Sequence, residues 1–235
     1  AIIDTSRAGH QPMNDPETGN WITYNGETYN FKELRREIGS GPWVSNTDTE
    51  VVLHAYDKWG VDAFRRMRGM FALAIWDHAK QQLVLARDPL GIKPLYYFVA
   101  RDRLLFASEL RALLASGLTP RRLNSTGVDS YLATGSVESP LTIVDGIKQL
   151  LPGHYLQVNR DIEITEVKFA EHRSAEAPGE RDEAVARSGP AGHLEVRSYL
   201  AVPVVSRSAA ACSGAWPERS SRSSMWSARR NRSVF

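Results

Sequence analysis

Along the chain, apolar positions recur first at mixed, then at helical, then at strand spacing. "WITYNGETYNF" (21–31) alternates and carries Asn25-Gly26, the strongest short hairpin signal, so a strand closing in a sharp turn is expected there. "FKELRREIG" (31–39) puts Phe31, Leu34 and Ile38 on one helical face, and "TEVVLHAYDKWG" (49–60) reads as a second helix stopped by Gly60. "DAFRRMRG" is a short third helix. Strands are then expected over 70–77, 81–88, 95–100 and 103–108, joined by polar connections. "ELRALLASG" and "STGVDSYLATG" read as helices and "GHYLQV" as a further strand. Helices and hairpins grouped along the sequence argue for an α+β fold with antiparallel sheets.

That order breaks down near residue 170. Ala, Arg and Ser make up 34 of the last 66 residues, and Leu, Ile, Val and Phe only 9. So low an apolar content is the composition of a disordered tail. The chain is therefore expected to divide into a folded part, 1–169, and an Arg/Ser/Ala-rich tail, 170–235, either disordered or reading in a shifted frame.

Charge follows the same division. The net charge of +2 over 235 residues combines a net −1 for 1–169 with a net +3 for the tail. The folded part has no basic footprint for nucleic acid. The longest apolar run, Met70 to Trp76, is far short of the roughly 20 residues that cross a bilayer, so no membrane partner is expected. With one cysteine, Cys212, a disulfide framework is excluded. The six histidines form no His-x-x-x-His pair, so no metal site is expected.

Several phrases together resemble one family: "IID" (2–4), "AGHQPM" (8–13), "YNGETYNFKELR" (24–35), "SNTDTEVVLHAYDKWG" (45–60), "RGMFALAIWD" (68–77), "LARDPLGIKPLYY" (85–97), "FASELRALLASG" (106–117) and "LLPGHYLQV" (150–158). In order and spacing they are similar to the amino-terminal glutaminase domain of the glutamine-hydrolysing asparagine synthetases, class II glutamine amidotransferases. The resemblance covers about 1–169. It implies an N-terminal-nucleophile hydrolase-like sandwich of two antiparallel sheets between helices, incomplete at its amino terminus. It also implies a reaction in which a cysteine thiolate attacks the glutamine side-chain amide, ammonia leaves, and water hydrolyses the thioester.

The resemblance further assigns residues. Asn25 (side-chain amide) and Gly26 (backbone N–H) match the oxyanion-hole donors, each worth about 3 kcal/mol in such sites. Glu27 falls in the same substrate-contacting stretch. Asp48 matches the acid that receives the α-ammonium group of glutamine, although an Asp there also suits a helix N-cap. Ile2 and Ile3 match a segment lining the glutamine pocket. Arg87-Asp88 with Lys93 reads as a turn with a structural ion pair, Trp59 and Trp76 as core, and His10 as loop packing. Cys212 with His193 is not expected to be a catalytic pair.

The family's nucleophilic cysteine precedes "IID", and its ATP-using domain carries a Ser-Gly-Gly-x-Asp-Ser loop. Neither occurs in these residues. The expectation is a piece of an asparagine synthetase shortened at both ends, inactive alone, with a frameshift within about 170–205. The partner would be glutamine, and the parent family would work in the cytoplasm and could form a homodimer. No cofactor is expected here, ATP and Mg2+ belonging to the synthetase domain. The alternatives are the glutaminase domain of another class II amidotransferase or a non-catalytic glutamine-binding module.

Overall fold

The computed structural model describes residues 7–170 and 204–206, with side chains for 8–170. Among these residues ten strands form two antiparallel sheets. The first is ordered β1 (Met13–Asn14), β2 (Trp21–Thr28), β3 (Gly69–Asp77), β4 (Gln82–Arg87), β8 (His154–Val158), β9 (Ile164–Lys168). The second is ordered β10 (Val204–Ser206), β6 (Arg103–Ala107), β5 (Tyr96–Ala100), β7 (Ile147–Gln149). Helices α1 (Phe31–Ile38), α2 (Asp48–Trp59) and α3 (Ala63–Arg66) follow β2, while α4 (Leu110–Ala115) and α5 (Ser125–Thr134) follow β6.

The side-chain alternation of β3 explains the layers. Phe71, Leu73 and Ile75 pack against Leu34, Val51 and Phe64 of the helices. Ala72 and Ala74 face the other way, toward Tyr97, Leu104 and Phe106 of the second sheet. Leu105 and Ala107 then turn from that sheet onto Leu113 of α4. The result is helices, sheet, sheet, helix. A strand buried on both faces must be apolar at every position, which is why 70–76 reads as a continuous run. Each fully buried Leu or Phe in these layers contributes roughly 1.5–3 kcal/mol.

Most expected elements form within a residue or two of their sequence bounds. β1, β7 and β9 had no expectation, being short or, in β9, mostly exposed. Val204–Ser206 lies in the stretch read as patternless, yet pairs antiparallel with β6. Trp59 and Trp76 are half-buried at the margins of the core. His10 is exposed, its Nδ1 3.0 Å from the Gln11 carbonyl, and packs no loop. Among the described residues no helix is long and apolar enough to cross a membrane.

Candidate active site

The expected Asn25-Gly26 turn does not exist. Both residues lie inside β2, paired with Ala72 and Phe71 of β3. The reversal that the dipeptide suggested is overridden by eight consecutive pairings between the two strands. Glycine is required for a different reason. A Cβ at Gly26 would stand 2.2 Å from the Met70 carbonyl oxygen and 2.7 Å from Phe71 Cα.

The register also decides where the Gly26 amide points. Phe71 uses both its backbone groups on the β4 side: its carbonyl accepts from Asp88 N at 2.8 Å and its N–H donates to Asp88 Oδ2 at 3.1 Å. In an antiparallel ladder the groups of one residue share an edge, so Gly26 and Phe71 form a non-hydrogen-bonded pair. The Gly26 N–H therefore faces the opposite edge of β2, together with those of Tyr24 and Thr28. That edge is capped piecemeal. β1 covers only Trp21 and Ile22, Tyr24 N donates to Gln11 Oε1 at 2.6 Å, and Thr28 N donates to Asp48 Oδ2 at 2.9 Å. Gly26 lies between the last two.

Asp48 reaches this edge from the first turn of α2. It is not the N-cap. Thr47 is, its hydroxyl accepting from Glu50 N at 3.1 Å. Glu50 completes a capping arrangement by accepting from Val44 N (2.6 Å), Ser45 N (2.8 Å) and the Ser45 hydroxyl (2.7 Å). Thus fixed, Asp48 is 5% exposed, and burial raises its carboxyl above the ordinary range despite backbone donors. Glu27 adds to that rise through its charge. No Lys, Arg or His ion pair to Asp48 occurs among the described residues. Beside it Tyr24 Oη lies 2.8 Å from Thr28 Oγ1, and burial followed by the Asp48 charge holds that phenol well above its usual value.

Asn25 projects from the other face of β2, between the sheets. Its Nδ2 donates to Ser108 Oγ at 3.1 Å, just beyond β6. Ser108 had no sequence signal as a partner, since it lies 83 residues away. Glu27 is half-buried and paired with Met70. Asn25, Gly26 and Glu27 lie near the end of β2 where Asp48 holds Thr28 N, with the Asn25 amide on the opposite face, toward Ser108. Ile2, Ile3, His193 and Cys212 lie outside the described residues.

The Arg87-Asp88 turn is structural, as expected, but makes no direct ion pair. Arg87 donates to the carbonyls of Lys93 (2.8 Å), Leu150 (2.7 Å) and Gly91 (2.7 Å). The Asp88 carboxylate takes the N–H groups of Phe71, Leu90, Ile92 and Lys93. By holding Phe71, Asp88 fixes the partner of Gly26.

A family of known domains, described as "Glutamine amidotransferase domain", matches residues 1–169. The glutamine-hydrolysing asparagine synthetase 3 of Bacillus subtilis is 37% identical over 166 residues, which cover 68% of this chain and 27% of the relative. The amidase chry2 of Gibberella zeae is 37% identical over 157 residues, 66% of this chain and 23% of the relative. The solved glutamine phosphoribosylpyrophosphate amidotransferase of B. subtilis aligns over 71% of this chain and 33% of its own, at 19% identity and a TM-score of 0.48. The chain therefore spans about a quarter of the length of the curated relatives it matches. Matched over its first 169 residues, the chain belongs to the glutamine amidotransferase domain family.

Proposed function

We propose that residues 1–169 are the glutamine-binding part of an asparagine-synthetase-type enzyme, and that the site at the end of β2 holds glutamine for hydrolysis to glutamate and ammonia. The observation that carries this reading is the juxtaposition on one edge of β2 of the Gly26 N–H and the buried Asp48 carboxylate. Asp48 offers a charge-assisted anchor for an α-ammonium group. The Gly26 N–H and the Asn25 side-chain amide supply donors for the oxyanion that forms when the amide carbon becomes tetrahedral. Ser108 positions Asn25, and Asp88 positions the strand opposite Gly26. Glu27 contacts the substrate from the same stretch.

These residues bind and polarise; they do not attack. The single cysteine, Cys212, lies outside the described residues, so the attacking thiolate is not among them. In the whole enzyme the ammonia goes to aspartate in a separate ATP- and Mg2+-dependent step, in the cytoplasm. The test is calorimetry of the 235-residue chain with L-glutamine. Binding is expected, weakened about tenfold or more in Asp48→Asn and unchanged in Asp145→Asn. No heat at millimolar glutamine, from a chain shown by circular dichroism to be folded, overturns the reading.

A further inference from the structure

We propose that Asp15, His54 and Asp57 bind a divalent transition-metal cation of the Zn2+ type, at a site separate from the glutamine-binding residues. His54 and Asp57 sit one turn apart on α2, and Asp15 comes from the turn that follows β1. The three donor atoms lie within 4.8 Å of one another. His54 Nδ1 is 3.7 Å from Asp57 Oδ2 and 3.9 Å from Asp15 Oδ2. These separations are too long for hydrogen bonds. They lie close to the roughly 3.3–3.6 Å that ligands keep around a tetrahedral ion with bonds of about 2.0–2.2 Å.

Two further observations point to a cation. Asp57 Oδ2 is buried and has no hydrogen-bond partner among the described residues. Leaving such an oxygen unmatched is costly unless a cation or proton meets it. The surroundings also carry too much negative charge. Glu50 Oε1 lies 3.9 Å from His54 Nε2, so three carboxylates converge on one imidazole. No Lys or Arg of the described residues forms an ion pair with any of the three.

The carboxylates are held from behind, as metal ligands are. Asp15 accepts from Glu17 N at 2.9 Å and from the Thr18 hydroxyl at 3.0 Å. Asp57 Oδ1 accepts from Asn20 Nδ2 at 2.6 Å, and Asn20 Oδ1 in turn accepts from His78 N at 2.7 Å. Trp43 packs edge-on to the imidazole at 4.8 Å between ring centroids. The His54 side chain is 17% exposed, which leaves a way in from solvent. One imidazole nitrogen with two carboxylate oxygens suits Zn2+, Co2+ or Mn2+ better than Mg2+ or Ca2+. The sequence missed the site because its ligands are not spaced as a motif. Asp15 is brought to α2 only by the packing of the β1–β2 turn.

The test is titration of ZnCl2 into the chelator-stripped 235-residue chain, followed by calorimetry and thermal melting, in a Cys212→Ser background. One equivalent is expected to bind and to raise the melting temperature. His54→Ala and Asp57→Asn should each weaken binding about 10–100-fold. Asp57→Asn keeps an oxygen for Asn20, so its fold is expected to survive and is checked by circular dichroism. His10→Ala should change nothing. Unchanged Zn2+ affinity in folded Asp57→Asn overturns the proposal. So does no binding at about 0.1 mM Zn2+, an affinity weaker than roughly −5.5 kcal/mol. In that case a proton shared by Asp15 and Asp57 occupies the place assigned to the metal. Equal binding of Ca2+ overturns the choice of cation class.

Discussion

Asp88 and Asp57 are both largely buried aspartates, and they are satisfied in opposite ways. Asp88, with no exposed surface, takes four backbone N–H groups and fixes a loop from within. Asp57 has one oxygen bonded to Asn20 and the other bonded to nothing described. Asp48 stands between them, anchored by Thr28 N but without a cation. Burial alone therefore does not mark a functional carboxylate. What separates structure from chemistry is whether the chain itself supplies every partner. Where the backbone completes the shell, the group holds the fold. Where it does not, the group is available to something outside the chain.

Substitutions sharpen this contrast. Asp88→Ala leaves four N–H groups without their acceptor, and we expect a loss of about 4 kcal/mol, read as a large drop in the denaturant midpoint. Gly26→Ala forces the strand pair apart and should cost about 3 kcal/mol, with glutamine binding lost alongside. Asp48→Asn is expected to be nearly neutral for stability, within about 1 kcal/mol, while weakening glutamine binding about tenfold or more. Were Asp48→Asn to unfold the chain as Asp88→Ala does, the distinction would fail. Arg122→Ala, which removes an exposed 2.7 Å ion pair with Asp145, should cost less than about 0.5 kcal/mol.

The pH dependence separates the same groups. Burial, partly offset by Asn20 and reinforced by Asp15, pushes the Asp57 carboxyl up to about 6. His54 faces it from α2 at 3.7 Å. A carboxyl raised on folding binds a proton more tightly in the native state. Its contribution to stability is therefore fully present below the unfolded value of 3.8 and is lost as pH rises to about 6. In metal-free buffer Asp57→Asn should flatten that slope and gain of order 1 kcal/mol above pH 7, measured by denaturant melts across pH. Asp15 has the opposite sign. Burial pushes it up, but the bonds from Glu17 N and Thr18, together with Asp57 and the charge of His54, leave it lowered, so its stabilisation fades only in stronger acid. Glutamine affinity should fall on acidification at a higher pH than an ordinary carboxylate would give, because Asp48 is raised by burial.

The layers of the fold were largely legible in the order of residues. The continuous apolar run 70–76, the amphipathic stretch 31–39 and the stretch 49–60 specify a strand buried on both faces and two helices, because burial imposes a period on the side chains. The similarity to a family assigned Asn25, Gly26 and Asp48 to one site. It left their geometry open, and the local reading of that geometry as a turn was wrong. Asn-Gly favours a reversal only when no neighbour competes, and here β3 supplies a full ladder. The direction of the Gly26 amide follows from how Phe71 pairs with Asp88, 62 residues beyond Gly26 in the chain. Likewise the seat of Asn25 on Ser108, and the meeting of Asp15 with His54 and Asp57, join segments that carry no mark of each other. The sequence by itself determined which segments are strands and helices and which faces they bury. Only the tertiary structure decided which buried polar atoms find partners, because a hydrogen bond or an ion site is a relation between distant residues.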